Sequence, residues 1–176
     1  GICALMRAEL FLRWPPGELE AATEAVIRVL LARGLLCRSP TSGRLAAPEP
    51  ISQEFAELHL LGETIRPLLE RHFLALALLD RQGSGQLTRQ ALEDNCHLLA
   101  QRLSLLYEFN TPEFPEKATF SAFIANLIEA DFLHEDDQGL LHFDERLMTP
   151  LTHSELVLSV EARRAIRRIA GAGVAK

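Results

Sequence analysis

The chain has 176 residues, 48% hydrophobic and 24% charged, with 18 basic and 24 acidic side chains for a net charge of −6. That length suits one ordinary domain or two small ones. The composition weighs against disorder except at the ends, and the acidic balance against a general nucleic-acid binder. Cys3, Cys37 and Cys96 are too few and too widely spaced for a disulfide framework or a zinc site, which points to a reducing compartment. The longest unbroken apolar run is Phe73 to Leu79, far short of the roughly 20 residues a spanning helix needs. The apolar start, Ile2 to Leu12, carries Arg7 and Glu9 and lacks a small-residue cleavage site, so it does not read as a signal peptide. Gly1 in place of methionine suggests a processed, tagged or excised segment. The expectation is a soluble, acidic, helix-dominated chain.

After Trp14-Pro15-Pro16-Gly17 a helix is predicted from Glu18 to Arg33, with Glu18, Glu20 and Glu24 near its start, Arg28 and Arg33 near its end, and Gly34 closing it. Leu35-Leu36-Cys37, a polar loop over 38–43 and Arg44-Leu45-Ala46 then read as a hairpin. From Ser52 to Leu79 the spacing of Ile51, Phe55, Leu58, Ile65, Leu69, His72, Leu76 and Leu79 predicts a helix that Pro67 kinks or splits. Its second half is apolar nearly all round and so belongs at the centre. Gly83-Ser84-Gly85 marks a turn, Thr88 an N-cap, and Leu87 with Leu92 a hydrophobic staple. The stripe Leu92, Cys96, Leu99, Leu103, Leu106 predicts the next helix, ending near Tyr107. A helix from Glu116 to Asp131 carries Phe120, Phe123, Ile124, Leu127 and Ile128, and a second hairpin follows around His134 to Phe143. Thr152-His153-Ser154-Glu155, flanked by Leu151 and Leu156, is a capping box for a last helix running to about Ile169, before Gly171 and Gly173.

Residues 30–37 echo residues 127–134: a helix closes on apolar residues, a polar loop with glycine follows, and a short apolar stretch returns. Helices followed by a β-hairpin are the order of a winged helix. The expected fold is therefore mainly α, helical with short β-hairpins, with two winged-helix-like modules joined by long central helices. The boundaries are 1–50 for the first module, 51–82 for the connector, 83–148 for the second module and 149–176 for a capping helix and frayed tail. One compact domain is the alternative.

A winged helix raises the question of DNA. Between Thr111 and Asp144, Lys117 stands alone against eight carboxylates, a balance that repels phosphate. No nucleic acid is expected. The acidic loop Glu135-Asp136-Asp137 lacks the ligand alternation of a calcium loop and reads as a solvated turn. His59 and His72 are wrongly spaced for a metal, His97 and Cys96 are adjacent on a helix and diverge, and His134 and His142 face across a hairpin without a third ligand. No catalytic residue, metal ligand or cofactor site is assigned. Arg163, Arg164, Arg167 and Arg168 occupy an arc of about 140° on the last helix, set opposite Val157, Val160 and Ile169. They are the candidate contact for anionic lipid headgroups or an acidic protein, against the plainer reading of arginines favoured at a helix C-terminus.

The stretch Leu98 to Tyr107, followed by Asn110 to Phe114 and Lys117 to Phe120, resembles the C-terminal region of the bacterial, membrane-associated glycerol-3-phosphate 1-O-acyltransferases. Leu68 to Phe73, the turn at Gly83 to Gly85 with Leu87-Thr88-Arg89, and Gly139 to Phe143 extend the likeness over nearly the whole chain. Pro115 departs from it, standing where an aromatic residue is expected. The resemblance implies a parent enzyme that moves an acyl group from acyl-CoA or acyl carrier protein to sn-glycerol 3-phosphate, giving lysophosphatidate for phospholipid biosynthesis. Its catalytic signature is His-x-x-x-x-Asp. Five residues after the six histidines stand Thr64, Ala77, Arg102, Gly139, Leu147 and Leu158, so no catalytic residue carries over. The implied role is noncatalytic: docking to an upstream acyltransferase domain, to the cytoplasmic face of the inner membrane as a peripheral element, or to acyl carrier protein. The alternatives are a free-standing winged-helix-like protein-interaction module and, further off, a DNA-binding regulator.

Overall fold

A computed structural model describes residues 18–107, 115–149, 151–152 and 158–172. The described residues are mainly helical, with two small antiparallel hairpins. They fall into two compact units, divided between Ile65 and Arg66.

In the first unit, α1 (Glu18–Ala32) leads into β1 (Cys37–Arg38), which pairs antiparallel with β2 (Leu45–Ala46) in the register Cys37 to Ala46. The end of α1 is closed by Gly34 at φ +72°. Its N–H donates to the Leu31 carbonyl at 3.1 Å, and the Leu35 N–H reaches back to Leu30 at 2.9 Å. This is a Schellman closure, which satisfies carbonyls the helix leaves open. The helix that follows, α2 (Gln53–Gln82), is started by Ser52, whose Oγ accepts from the Phe55 N–H at 3.1 Å. It continues through Pro67 as one element. Ile51 lies outside the helix and is fully exposed, and Ile65 is 39% exposed, so neither belongs to the apolar face their spacing suggested. Ile51 precedes the Ser52 cap and so is not on the helical repeat at all.

The second unit holds the core. From Leu68 to Leu79 every residue of α2 is buried except Arg71, including His72, whose ring stacks on Phe123 at 4.0 Å. Around it pack α3 (Arg89–Tyr107) through Leu92, Cys96, Leu99, Ala100 and Leu103, and α4 (Lys117–Glu129) through Phe120, Phe123, Ile124 and Leu127. Each such Leu or Phe, fully buried, contributes about 1.5–3 kcal/mol. Thr88 caps α3 through its Oγ, which accepts from the Ala91 N–H at 3.2 Å. Leu106 continues the stripe by angle but is 68% exposed.

β3 (His134–Glu135) pairs with β4 (Leu141–His142), so that His134 stands opposite His142. Residues before α3 extend this hairpin: Gly85 N–H donates to the Leu141 carbonyl and Leu141 N–H to that of Leu87, both at 2.8 Å, and Thr88 bridges Leu140. Gly85 has φ +72°, and a Cβ there would stand 2.8 Å from the His142 ring, so only glycine fits.

The last helix, α5 (Val160–Ala172), starts later than the capping box at Thr152 to Glu155 predicts. His153, Ser154 and Glu155 lie outside the described residues. Ser159 is the observed cap, its Oγ accepting from the Ala162 N–H at 3.1 Å. The helix also continues through Gly171, which sits under Arg81; a Cβ there would come within 3.0 Å of the guanidinium.

Candidate functional surface

On α5 the alternation of arginine pairs with Ala165, Ile166, Ile169 and Ala170 sets two faces at about 100° per residue. Those four are buried, which anchors the helix on the core. Arg164, Arg167 and Arg168 are exposed on the far side. Arg163 lies at the edge between the faces, half-buried, with its Nε buried and lacking a hydrogen-bond partner among the described residues. Ile169 is on the buried face, as its spacing implies, but Val160 is 44% exposed. By angle Val160 falls inside the arginine arc, so it belongs to the cationic face and not opposite it. Val157 lies outside the described residues.

Arg167 also lines an open cavity of about 420 Å³, together with Arg81, Asp80, Ala77, Leu151 and Ala170. Its lining combines three small or apolar side chains with two guanidiniums and one carboxylate. Arg81 was not among the residues singled out from sequence. The signal was the small residue at Gly171, a notch on α5 that lets a long side chain from another helix lie across it.

Several histidines and carboxylates form paired surface contacts. Asp136 Oδ1 accepts from the N–H groups of Gln138 and Leu140, each at 2.9 Å, while Oδ2 meets His142 Nε2 at 2.8 Å. The N–H of Leu140 is the largest reason the Asp136 carboxyl is held below the usual carboxylate range, with His142 next. The acidic loop is thus a hydrogen-bonded turn. His134 meets Asp131 at 3.4 Å. His97 donates from Nδ1 to the Pro115 carbonyl, which leaves Nε2 to accept from Gln101 at 3.0 Å. Adjacent Cys96 is fully buried, its thiol pushed well above the ordinary thiol range by loss of solvent and by Glu93. A thiol held protonated in this way is no nucleophile. Glu93 is in turn held by Arg89 at 3.0 Å and Ser121 at 2.8 Å. Lys117, the lone base of its segment, is ion-paired to Asp94. Among the described residues no group of three or more His, Cys, Asp or Glu is placed to hold a metal. No described helix is long and apolar enough to cross a membrane.

These features define a helical module with one cationic helix face. A sequence profile of the glycerol-3-phosphate acyltransferase C-terminal region matches residues 1–136. The chain is 39% identical over 166 residues to a glycerol-3-phosphate acyltransferase of Pseudomonas putida strain GB-1, covering 94% of this chain and 20% of that protein. It is 36% identical over 166 residues to the enzyme of that name from Pseudomonas entomophila, with the same coverage. Over 167 residues it is 36% identical to that of Pseudomonas aeruginosa strain UCBPP-PA14. The chain spans about a fifth of the length of the curated relatives it matches. No solved structure matches it. The chain belongs to the family of glycerol-3-phosphate acyltransferase C-terminal regions.

Proposed function

We propose that this chain is the noncatalytic C-terminal segment of a glycerol-3-phosphate 1-O-acyltransferase, serving phospholipid biosynthesis from the cytoplasmic face of the inner membrane. Chemistry belongs to an upstream acyltransferase domain, since no histidine here is followed five residues on by an acid. The segment docks to that domain and presents α5 to anionic phospholipid. The observation that carries the lipid contact is the exposure of Arg164, Arg167 and Arg168 on a helix whose other face is anchored in the core. A cationic face with Val160 among its arginines suits headgroups better than it suits water alone.

The second hairpin is read as the wing of a winged-helix-like module. What supports this is the order of the second half of α2, the segment 85–88 that hydrogen-bonds to the hairpin, α3, α4 and β3–β4. The first hairpin, after α1, is read as its shorter counterpart. In such a module α4 would be the recognition helix, but its only base is tied to Asp94, so protein or lipid contact is favoured over DNA.

The test replaces Arg163, Arg164, Arg167 and Arg168 together with glutamine and measures binding to phosphatidylglycerol-containing vesicles and to acyl carrier protein. A basic side chain near an anionic surface contributes about 1 kcal/mol, so loss of the three exposed charges should weaken vesicle binding about 100-fold. Loss confined to acyl carrier protein would move the contact to the acyl donor. Unchanged binding to both would remove α5 from either role.

A further inference from the structure

The unit of residues 18–65 has almost no core of its own. Among its described hydrophobic residues only Leu35 is buried. On α1, Val26 and Val29 are 54% and 56% exposed, and on the first half of α2, Leu60 and Leu61 are 66% and 51% exposed. Ordering a residue costs backbone entropy, which apolar burial must offset. A unit that leaves these side chains about half in water forgoes the stabilisation that covering the rest of each would give. These exposed apolar side chains on the two helices are therefore ones that gain from a partner.

The charge of the unit selects among partners. Residues 18–65 carry seven carboxylates against four arginines, a balance that an anionic membrane repels. Length points the same way. The chain aligns over 94% of itself with only 20% of its relatives, and the matching profile is that of a C-terminal region, so in those relatives most of the polypeptide precedes the matched part.

We infer that Val26 and Val29, with Leu60 and Leu61, are the docking face for the acyltransferase portion of the longer polypeptide. This rests on the C-terminal-segment reading above and deepens it by naming the face. The lipid-facing arginines of α5 lie in the other unit, so one unit is assigned to the enzyme and the other to the membrane.

The experiment grafts this chain in place of the matched fifth of the Pseudomonas putida acyltransferase. Val29→Cys and Leu60→Cys are labelled with maleimide in the isolated chain and in the chimera, with rates read by mass spectrometry and scaled to those in denaturant. Both positions should label fast in the isolated chain and more than about tenfold slower in an active chimera, in membranes and in detergent alike, as expected of an interface core closed to water. Equal rates in the isolated chain and an active chimera overturn the docking face while leaving the C-terminal-segment reading standing. Protection that detergent abolishes gives the face to lipid, and slowing that grows with the concentration of the isolated chain gives it to a second copy; either overturns the inference. A chimera without acyltransferase activity counts against the C-terminal-segment reading itself, and the docking face falls with it.

Discussion

Gly34 and Asp131 hold the same place in two copies of one motif. Each follows a helix, each has positive φ, and each is flanked by the same pair of hydrogen bonds, with the Phe132 N–H returning to Leu127 at 2.9 Å as the Leu35 N–H returns to Leu30. The echo between residues 30–37 and 127–134 was legible in the sequence because the apolar pattern repeats. That Asp131 adopts the left-handed conformation was not, because aspartate enters it only when the surroundings favour it. Here Arg146 bridges Asp131 at 3.0 Å and Asp144 at 3.0 Å, and ties the helix end to the hairpin exit. Opposite effects follow at the two sites. In Gly34→Ala the new Cβ meets only an ordinary contact with Glu54 at 3.5 Å, so the cost is conformational, about 1–2 kcal/mol, and amide exchange of α1 should show it. Asp131→Gly relieves that strain but loses exposed ion pairs worth about 0–1 kcal/mol, so urea unfolding should find it neutral or slightly stabilised. Equal losses at both positions would mean that the closures are not governed by φ.

At the scale of elements, the second hairpin is set by one carboxylate. Composition marks Glu135-Asp136-Asp137 as a turn, but only the folded backbone shows that Asp136 collects the N–H groups of Gln138 and Leu140. Its folded carboxyl titrates below the unfolded value of about 4, so its contribution is fully present above pH 4 and is lost as pH falls through the lower folded value. Because the Leu140 N–H is the leading cause and His142 the second, His142→Gln should return the Asp136 carboxyl only part of the way to its ordinary value in an NMR titration. Full return would assign the shift to the histidine. The last helix gives a similar lesson. Ser159 caps the helix that buries Ala165, Ile166, Ile169 and Ala170, whereas Thr152 lies in a helical turn of its own and the rest of its box lies outside the described residues. The arginine arc is fixed by residue spacing alone and was legible. The placing of Val160 fails the same angular arithmetic, which puts it among the arginines.

Across the whole molecule, apolar side chains are distributed unequally. The helical character and the family likeness were legible, since both follow from local pattern. The inequality was not, because Leu60 and Leu61 look as apolar in sequence as Leu78 and Leu79; only packing distinguishes a covered leucine from an uncovered one. Pro67 lies two residues past the division between the units, inside a helix that continues through it. A stability gradient follows. Amides of residues 73–79 are sealed on all sides and should exchange only when the second unit unfolds as a whole. Those of α1, with Val26 and Val29 in water, should open locally at a free energy lower by roughly 2 kcal/mol or more, with little dependence on urea. Native-state hydrogen exchange at several urea concentrations measures both. Matching free energies and matching urea slopes in α1 and in residues 73–79 would mean that the chain unfolds as one body. The exposed apolar side chains of the first unit would then carry no instability for a partner to relieve.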